Sequence, residues 1–186
     1  MKLRPLFWPT VAALPALLVL LWLGTWQVQR LEWKNQLIEN FESRATSAPV
    51  GLPEGLIGPE MEFRRLALTG SFDHDKEVFM TGRTYEGNAG FHIVTPFTLT
   101  DGRIILVNRG WVSESYRAPE KRKFSLIEGE TGIDAIIRFP GKKGYFVPEN
   151  EPENGFWFTL MPAQIVEHLG LDGQAETAVY AAALRT

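Results

Sequence analysis

The sequence predicts a membrane-anchored α+β protein: an N-terminal transmembrane helix followed by a mainly antiparallel β extramembrane domain with peripheral helices. Three observations carry that prediction. The run from Pro5 to Gln29 holds no ionisable side chain. Beyond Glu62 the apolar residues change from helical spacing to alternation, in runs rich in β-branched and aromatic residues. Thr100-Asp101-Gly102-Arg103 joins two of those runs with the chemistry of a tight hairpin.

Residues 1–29 form the tail and anchor. The 25 uncharged residues would reach about 37 Å as a helix, where a bilayer core needs about 20 residues. Ala12 to Leu23 is almost all Leu, Val and Ala, and Trp8, Trp22 and Trp26 lie towards the ends, where indoles favour the interface. A cleaved signal peptide would show a shorter apolar run and small residues after it; here Trp26, Arg30 and Trp33 follow. Pro9 and Pro15 are tolerable in a lipid-spanning helix. Lys2, Arg4 and the free amine precede the run, and Arg30 and Lys34 follow it beside Glu32. That bias favours a cytoplasmic N-terminus with the remaining chain outside the cytoplasm.

Residues 30–48 continue as a juxtamembrane helix, with Leu31, Leu37 or Ile38, Phe41 and Ala45 at three- and four-residue spacing until Pro49 and Pro53 stop it. Residues 49–186 are the extramembrane β-rich domain. Strands are expected over Phe63 to Phe72, Glu77 to Met80, Phe91 to Leu99, Ile104 to Val112, Ile133 to Phe139 and Ala178 to Leu184. Pro162 to Leu169 reads as a short helix, with Pro at its start and Gly170 after its end. Pattern alone does not show whether the sheet closes into a barrel.

The chemistry is sparse. The chain has 3 His, no Cys and a net charge of −3. No basic tract or nucleic-acid motif is present, which argues against nucleic acid as a partner. No pair of histidines has the spacing of a zinc site, and no nucleophile elbow exists. His74 reads as an exposed turn residue between two carboxylates, and His168 as a surface residue near a helix C-terminus. His92 sits among apolar residues in a strand and is the one histidine that merits attention. The glycines of residues 82–90 match no phosphate-binding pattern and read as a loop. Residues 149–154 lack calcium-loop spacing and read as a solvated turn. Lys121-Arg122-Lys123 reads as an exposed loop. No catalytic or metal-binding residue is assigned, and a non-enzymatic protein is expected.

Six blocks, in order, resemble the surfeit locus protein 1 family of cytochrome c oxidase assembly factors. They begin with the anchor exit, Gly24-Thr25-Trp26-Gln27-Val28-Gln29-Arg30-Leu31-Glu32-Trp33-Lys34, and Leu68-Thr69-Gly70-Ser71-Phe72-Asp73-His74. Gly90-Phe91-His92-Ile93-Val94-Thr95-Pro96-Phe97 and Ile105-Leu106-Val107-Asn108-Arg109-Gly110-Trp111-Val112 follow. The last two are Ile127-Glu128-Gly129-Glu130 and Phe146-Val147-Pro148-Glu149-Asn150-Glu151-Pro152. The resemblance implies an assembly factor that assists haem a insertion and maturation of the oxidase's catalytic subunit. The partners it implies are that catalytic subunit, membrane lipid and haem a synthase, at a bacterial inner membrane with the domain on the periplasmic face. No Arg- and Ser-rich transit segment precedes the apolar run, which disfavours a mitochondrial origin.

Family members usually carry a second transmembrane helix near the C-terminus, beside the histidine favoured as haem ligand. This sequence stops at Ala183-Leu184-Arg185-Thr186, so truncation before that helix is expected and the ligand histidine has no counterpart. The residues left as candidates for cofactor binding are His92, Arg109 and Trp111. Arg109 could meet a haem propionate or a partner's carboxylate. The alternative, which we favour, is an internal salt bridge with Trp111 filling the core. Two other functional classes stay in view: a structural membrane tether that binds no haem, and a membrane-anchored enzyme.

Overall fold

A computed structural model describes residues 7–171 and 173–184, and it divides into two compact units at Ser43/Arg44. The first unit is helical. Helix α1 (Phe7–Ala45) continues without a break from the apolar run into the charged extension, with Pro15 inside it. Pro5 and Leu6 of the expected span lie outside the described residues. At 39 residues the helix is about 58 Å long, and it is the one helix among the described residues long and apolar enough to cross a membrane. Its residues from Phe7 to Ser43 are all exposed.

The second unit is built on six strands: β1 (Arg65–Phe72), β2 (Val78–Tyr85), β3 (Asn88–Leu99), β4 (Ile104–Ser113), β5 (Thr131–Arg138) and β6 (Tyr180–Ala183). Their order is β1-β5-β6-β4-β3-β2, and β1 also pairs with β3, so five strands close into a barrel and β2 extends β3. All ladders are antiparallel except β4–β6.

Strand β3 makes closure possible by serving two neighbours along one edge. Its first part pairs with β2 as far as Val94↔Val78, and its last part pairs with β1 from Phe97↔Phe72 to Leu99↔Gly70. Pro96, which has no N–H to give a ladder, sits in the gap where one neighbour replaces the other. Its carbonyl accepts from the Asp73 amide at 3.0 Å. Closure also demands close backbone approach at Gly70, where an added Cβ would lie 2.1 Å from the Thr98 carbonyl oxygen.

Alternation in β1 puts Leu66, Leu68 and Gly70 inside and Ala67, Thr69 and Ser71 outside. With Phe97, Ile105, Val107, Ala135, Ile137, Val179 and Ala181 they fill the barrel. A second cluster lies on the other face of β3 and β4. There Val94 and Leu106 meet Val78, Met80, Trp157, Leu160 and Ile165 of helix α2 (Pro162–His168). Both faces of these two strands are therefore covered, which explains their near-continuous apolar runs.

Several expectations need correction. Residues 82–90 are not a free loop: β2 runs to Tyr85, and β3 returns from Asn88 through a two-residue turn at Glu86 and Gly87, with φ of 49° and 79°. Both central residues have positive φ, the geometry whose twist suits a two-residue hairpin. Lys121-Arg122-Lys123 is not wholly an exposed loop, because Arg122 is buried at 0% exposure within the 3₁₀ segment 119–125. His74 is part-buried and partnered, and its flanking carboxylates are not what it bonds. Trp111 is only partly buried rather than a core side chain.

Candidate functional site

The Asn108-Arg109-Gly110-Trp111 segment is shaped by a β-bulge. Val94 pairs with Asn108 but His92 pairs with Trp111, so Arg109 and Gly110 together face the single residue Ile93. Gly110 takes φ 102°, which a side chain would disfavour. A matching bulge lies across β3, where Thr81 and Gly82 (φ 70°) face Phe91. The two irregularities break strand alternation and send neighbouring side chains to different places.

Arg109 goes to a buried ion cluster centred on Glu77, the residue that ends the 73–77 connection from β1 to β2. An Arg109 amino group donates to Glu77 Oε1 at 2.9 Å, and Arg122 donates to both Glu77 oxygens. Thr95 Oγ1 donates to the same carboxylate at 3.3 Å, and His74 Nδ1 lies 3.1 Å from it. The other Arg109 amino group donates to the Ser125 carbonyl, and the guanidinium lies 4.8 Å from the Phe72 ring centroid. Burial would raise the Glu77 carboxyl's pKa. Bonds from Arg122 and His74, with the charges of Arg122 and Arg109, outweigh that and hold it below the ordinary carboxylate range. Burial also lowers the Arg109 guanidinium, opposed by Glu77. Two guanidiniums share one carboxylate, so the cluster carries a surplus positive charge beside a cleft of about 270 Å³. Phe72, Ile127, Ile133, Ala183 and Leu184 form the cleft's apolar lining.

His92 and Trp111 are neighbours across β3 and β4 but do not join this cluster. The Asn108 side-chain oxygen accepts from the Gly110 amide at 3.0 Å, which fixes its amide nitrogen towards His92 Nδ1 at 3.2 Å. His92 Nδ1 is then an acceptor and Nε2 carries the proton. Burial, reinforced by the Arg83 charge, pushes the imidazole below its ordinary pKa. The Trp111 indole N–H points to the Arg83 carbonyl at 3.4 Å, and its ring lies 5.5 Å from that of Tyr85.

These contacts test whether the candidates suit a haem. An imidazole that binds iron through Nε2 must present a lone pair there, and His92 presents N–H in this arrangement. Arg109 already donates to Glu77 and Ser125. The three do not fit as one haem-binding set. No group of three or more His, Cys, Asp or Glu is placed to hold a metal among the described residues.

Glu77 and Arg122 are the residues that sequence reasoning missed. Glu77 follows a polar turn and Arg122 lies between two lysines, so nothing local separates either from ordinary surface charge. Asn150, expected in a solvated turn, is instead held by four hydrogen bonds. Its side-chain oxygen accepts from the Phe158 and Thr159 amides at 2.8 and 2.9 Å, and its amide nitrogen donates to the Thr159 carbonyl and Gln164.

Comparison with known proteins gives a consistent result. The model of the SURF1 family matches residues 14–185. A SURF1-like protein of Monosiga brevicollis is 37% identical over 167 residues, covering 83% of this chain and 63% of that protein. Surfeit locus protein 1 of Homo sapiens is 41% identical over 152 residues, covering 73% of this chain and 51% of its own length. The cytochrome oxidase assembly protein SHY1 of Saccharomyces cerevisiae is 36% identical over 146 residues, covering 73% and 37%. The chain thus spans less than two thirds of the length of these curated relatives.

Proposed function

The chain belongs to the SURF1 family, and we propose that it is an assembly factor for a haem-copper cytochrome c oxidase, assisting haem a insertion and maturation of the catalytic subunit. The observation that carries this reading is the family match over residues 14–185, with a yeast relative named for cytochrome oxidase assembly. The site geometry supports a non-catalytic role. Glu77, Arg109, Arg122 and His74 bond one another, which stiffens a docking surface rather than arming a nucleophile or general base. On this reading the partners are the oxidase catalytic subunit, haem a synthase and lipid. The place is a bacterial inner membrane, with α1 as anchor and the β domain on the periplasmic face, in keeping with Lys2 and Arg4 before the apolar run.

Deletion of the gene should lower both the haem a absorbance of the membranes and their oxidase activity, and a plasmid-borne copy should restore them. Unchanged haem a content and activity in the deletion strain would overturn the assignment. The Nε2–H form of His92 and the prior commitments of Arg109 favour a second version, in which the chain steadies the apo-subunit without ligating haem. Purified full-length protein that co-purifies with apo-oxidase but shows no haem a spectrum would select that version.

A further inference from the structure

After β5 the chain runs through Phe139, which packs on the barrel core, into Pro140-Gly141-Lys142-Lys143-Gly144-Tyr145-Phe146. The Val147 amide donates to the Gly144 carbonyl at 3.0 Å and closes a tight turn. Tyr145 and Phe146 hold its two central positions. Their rings meet edge-on, 5.1 Å apart, and are 94% and 93% exposed. Single exposed aromatics are ordinary on protein surfaces. Two adjacent ones at a turn tip, with paired lysines on the same loop, form an amphipathic probe with apolar rings ahead and cations behind.

The position of this loop narrows the occupant. It departs from Arg138, whose Nε lies 4.0 Å from Glu62 and whose guanidinium sits 4.9 Å from the Phe63 ring centroid. The Glu62 carbonyl in turn accepts from Arg44 at 3.2 Å. The loop therefore leaves the barrel on the side of Glu62 and Arg44, the residue with which this unit begins. Lys143 pairs with Glu149, which is itself 81% exposed, so an external anion can compete for that lysine.

We propose that residues 141–147 form a second membrane contact, in which Tyr145 and Phe146 enter the headgroup region of an anionic bilayer while Lys142 and Lys143 meet lipid phosphates. Rings with an apolar body and basic side chains with long stems are the residues that such an interface selects. The inference rests on the reading of α1 as a membrane anchor, and its test separates the two.

The chain has no cysteine, so single cysteines at Phe146, Leu17 and Glu54 can each carry an environment-sensitive dye in the full chain. The probes are phosphatidylcholine–phosphatidylglycerol vesicles containing spin-labelled lipid, with circular dichroism confirming an unchanged β content. The dye at Leu17→Cys should be quenched and the dye at Glu54→Cys should stay aqueous. The dye at Phe146→Cys should shift to the blue and be quenched by shallow labels, and a Lys142→Glu/Lys143→Glu background should abolish that quenching. Quenching at position 17 with an aqueous signal at 146 overturns the loop contact and leaves the anchor standing. An aqueous signal at both removes the anchor reading and this inference with it. A dye at 146 that is shielded only when apo-oxidase is added makes the turn a protein-docking tip and overturns the lipid assignment.

Discussion

Glu77 ties three separate segments together. Its carboxylate gathers β4 through Arg109, the 3₁₀ segment 119–125 through Arg122, and β3 through Thr95. Arg122 is fully buried, and its Nε has no partner, so its charge rests on Glu77. Removing one member of a buried pair strands the other, at a typical cost of about 3–5 kcal/mol. Glu77→Ala should therefore lower the urea-unfolding free energy of the β domain by about that much. The double variant Glu77→Ala/Arg122→Met should regain part of the loss, because the fully buried one of the two guanidiniums that Glu77 compensates is then gone, while Arg109 keeps its bond to the Ser125 carbonyl. Equal destabilisation in single and double variants would refute the coupling. Gly70 makes a different demand. An added Cβ would lie 2.1 Å from the Thr98 oxygen and 2.9 Å from the Leu99 Cα, both backbone atoms that cannot rotate away. Gly70→Ala should cost about 1–3 kcal/mol, as overpacking does, where glycine-to-alanine changes in open strands are usually favourable. A calorimetric midpoint equal to the parent's would contradict the closed β1–β3 seam.

Among the elements, the long strand β3 and the clasp around Asn150 organise the domain. Asn150 ties residues 149–152 to 158–159 and to α2, which covers the outer cluster under Trp157. Asn150→Ala leaves two amides without their acceptor, at about 1–3 kcal/mol for each that stays buried. Faster hydrogen exchange should then appear in α2 and residues 157–160, with β1 and β5 unaffected. Uniformly faster exchange would mean that the clasp holds the whole barrel. Most strands were legible because alternation and turn chemistry are local properties: β1 shows its inward Leu66, Leu68 and Gly70, and Asp101-Gly102 marks the β3–β4 turn. The β2–β3 hairpin was not. Its turn uses Glu86 at positive φ, a residue with no such preference, and its flanks are polar because Thr84, Tyr85, Asn88 and Ala89 face water. The two bulges were equally hidden, since an extra residue is defined only by the strand opposite.

At the scale of the whole molecule, the titrations of Glu77 and His92 act in the same direction. Both have folded pKa values below their ordinary ones, so each contributes stability that is complete above its unfolded pKa and is lost as pH falls through the folded value. The His92 part should begin to fade below about pH 6.5 and the Glu77 part below about pH 4.3. Thermal melts between neutral and acid pH should show both steps, with Glu77→Gln removing the acid one and His92→Phe the milder one. A midpoint that rises on acidification would be inconsistent with either burial. The family, the long apolar helix and most of the β pattern were present in the order of residues, because hydropathy and turn preference act between near neighbours. Closure of the barrel, the burial of Arg122 beside Glu77 and the tautomer of His92 were not. They arise from pairs such as Arg122 and Glu77, 45 positions apart, or Arg65 and Asp134, 69 apart. At such separations the local sequence says only that a charge exists, and the folded chain sets the dielectric and the partner that give that charge its role.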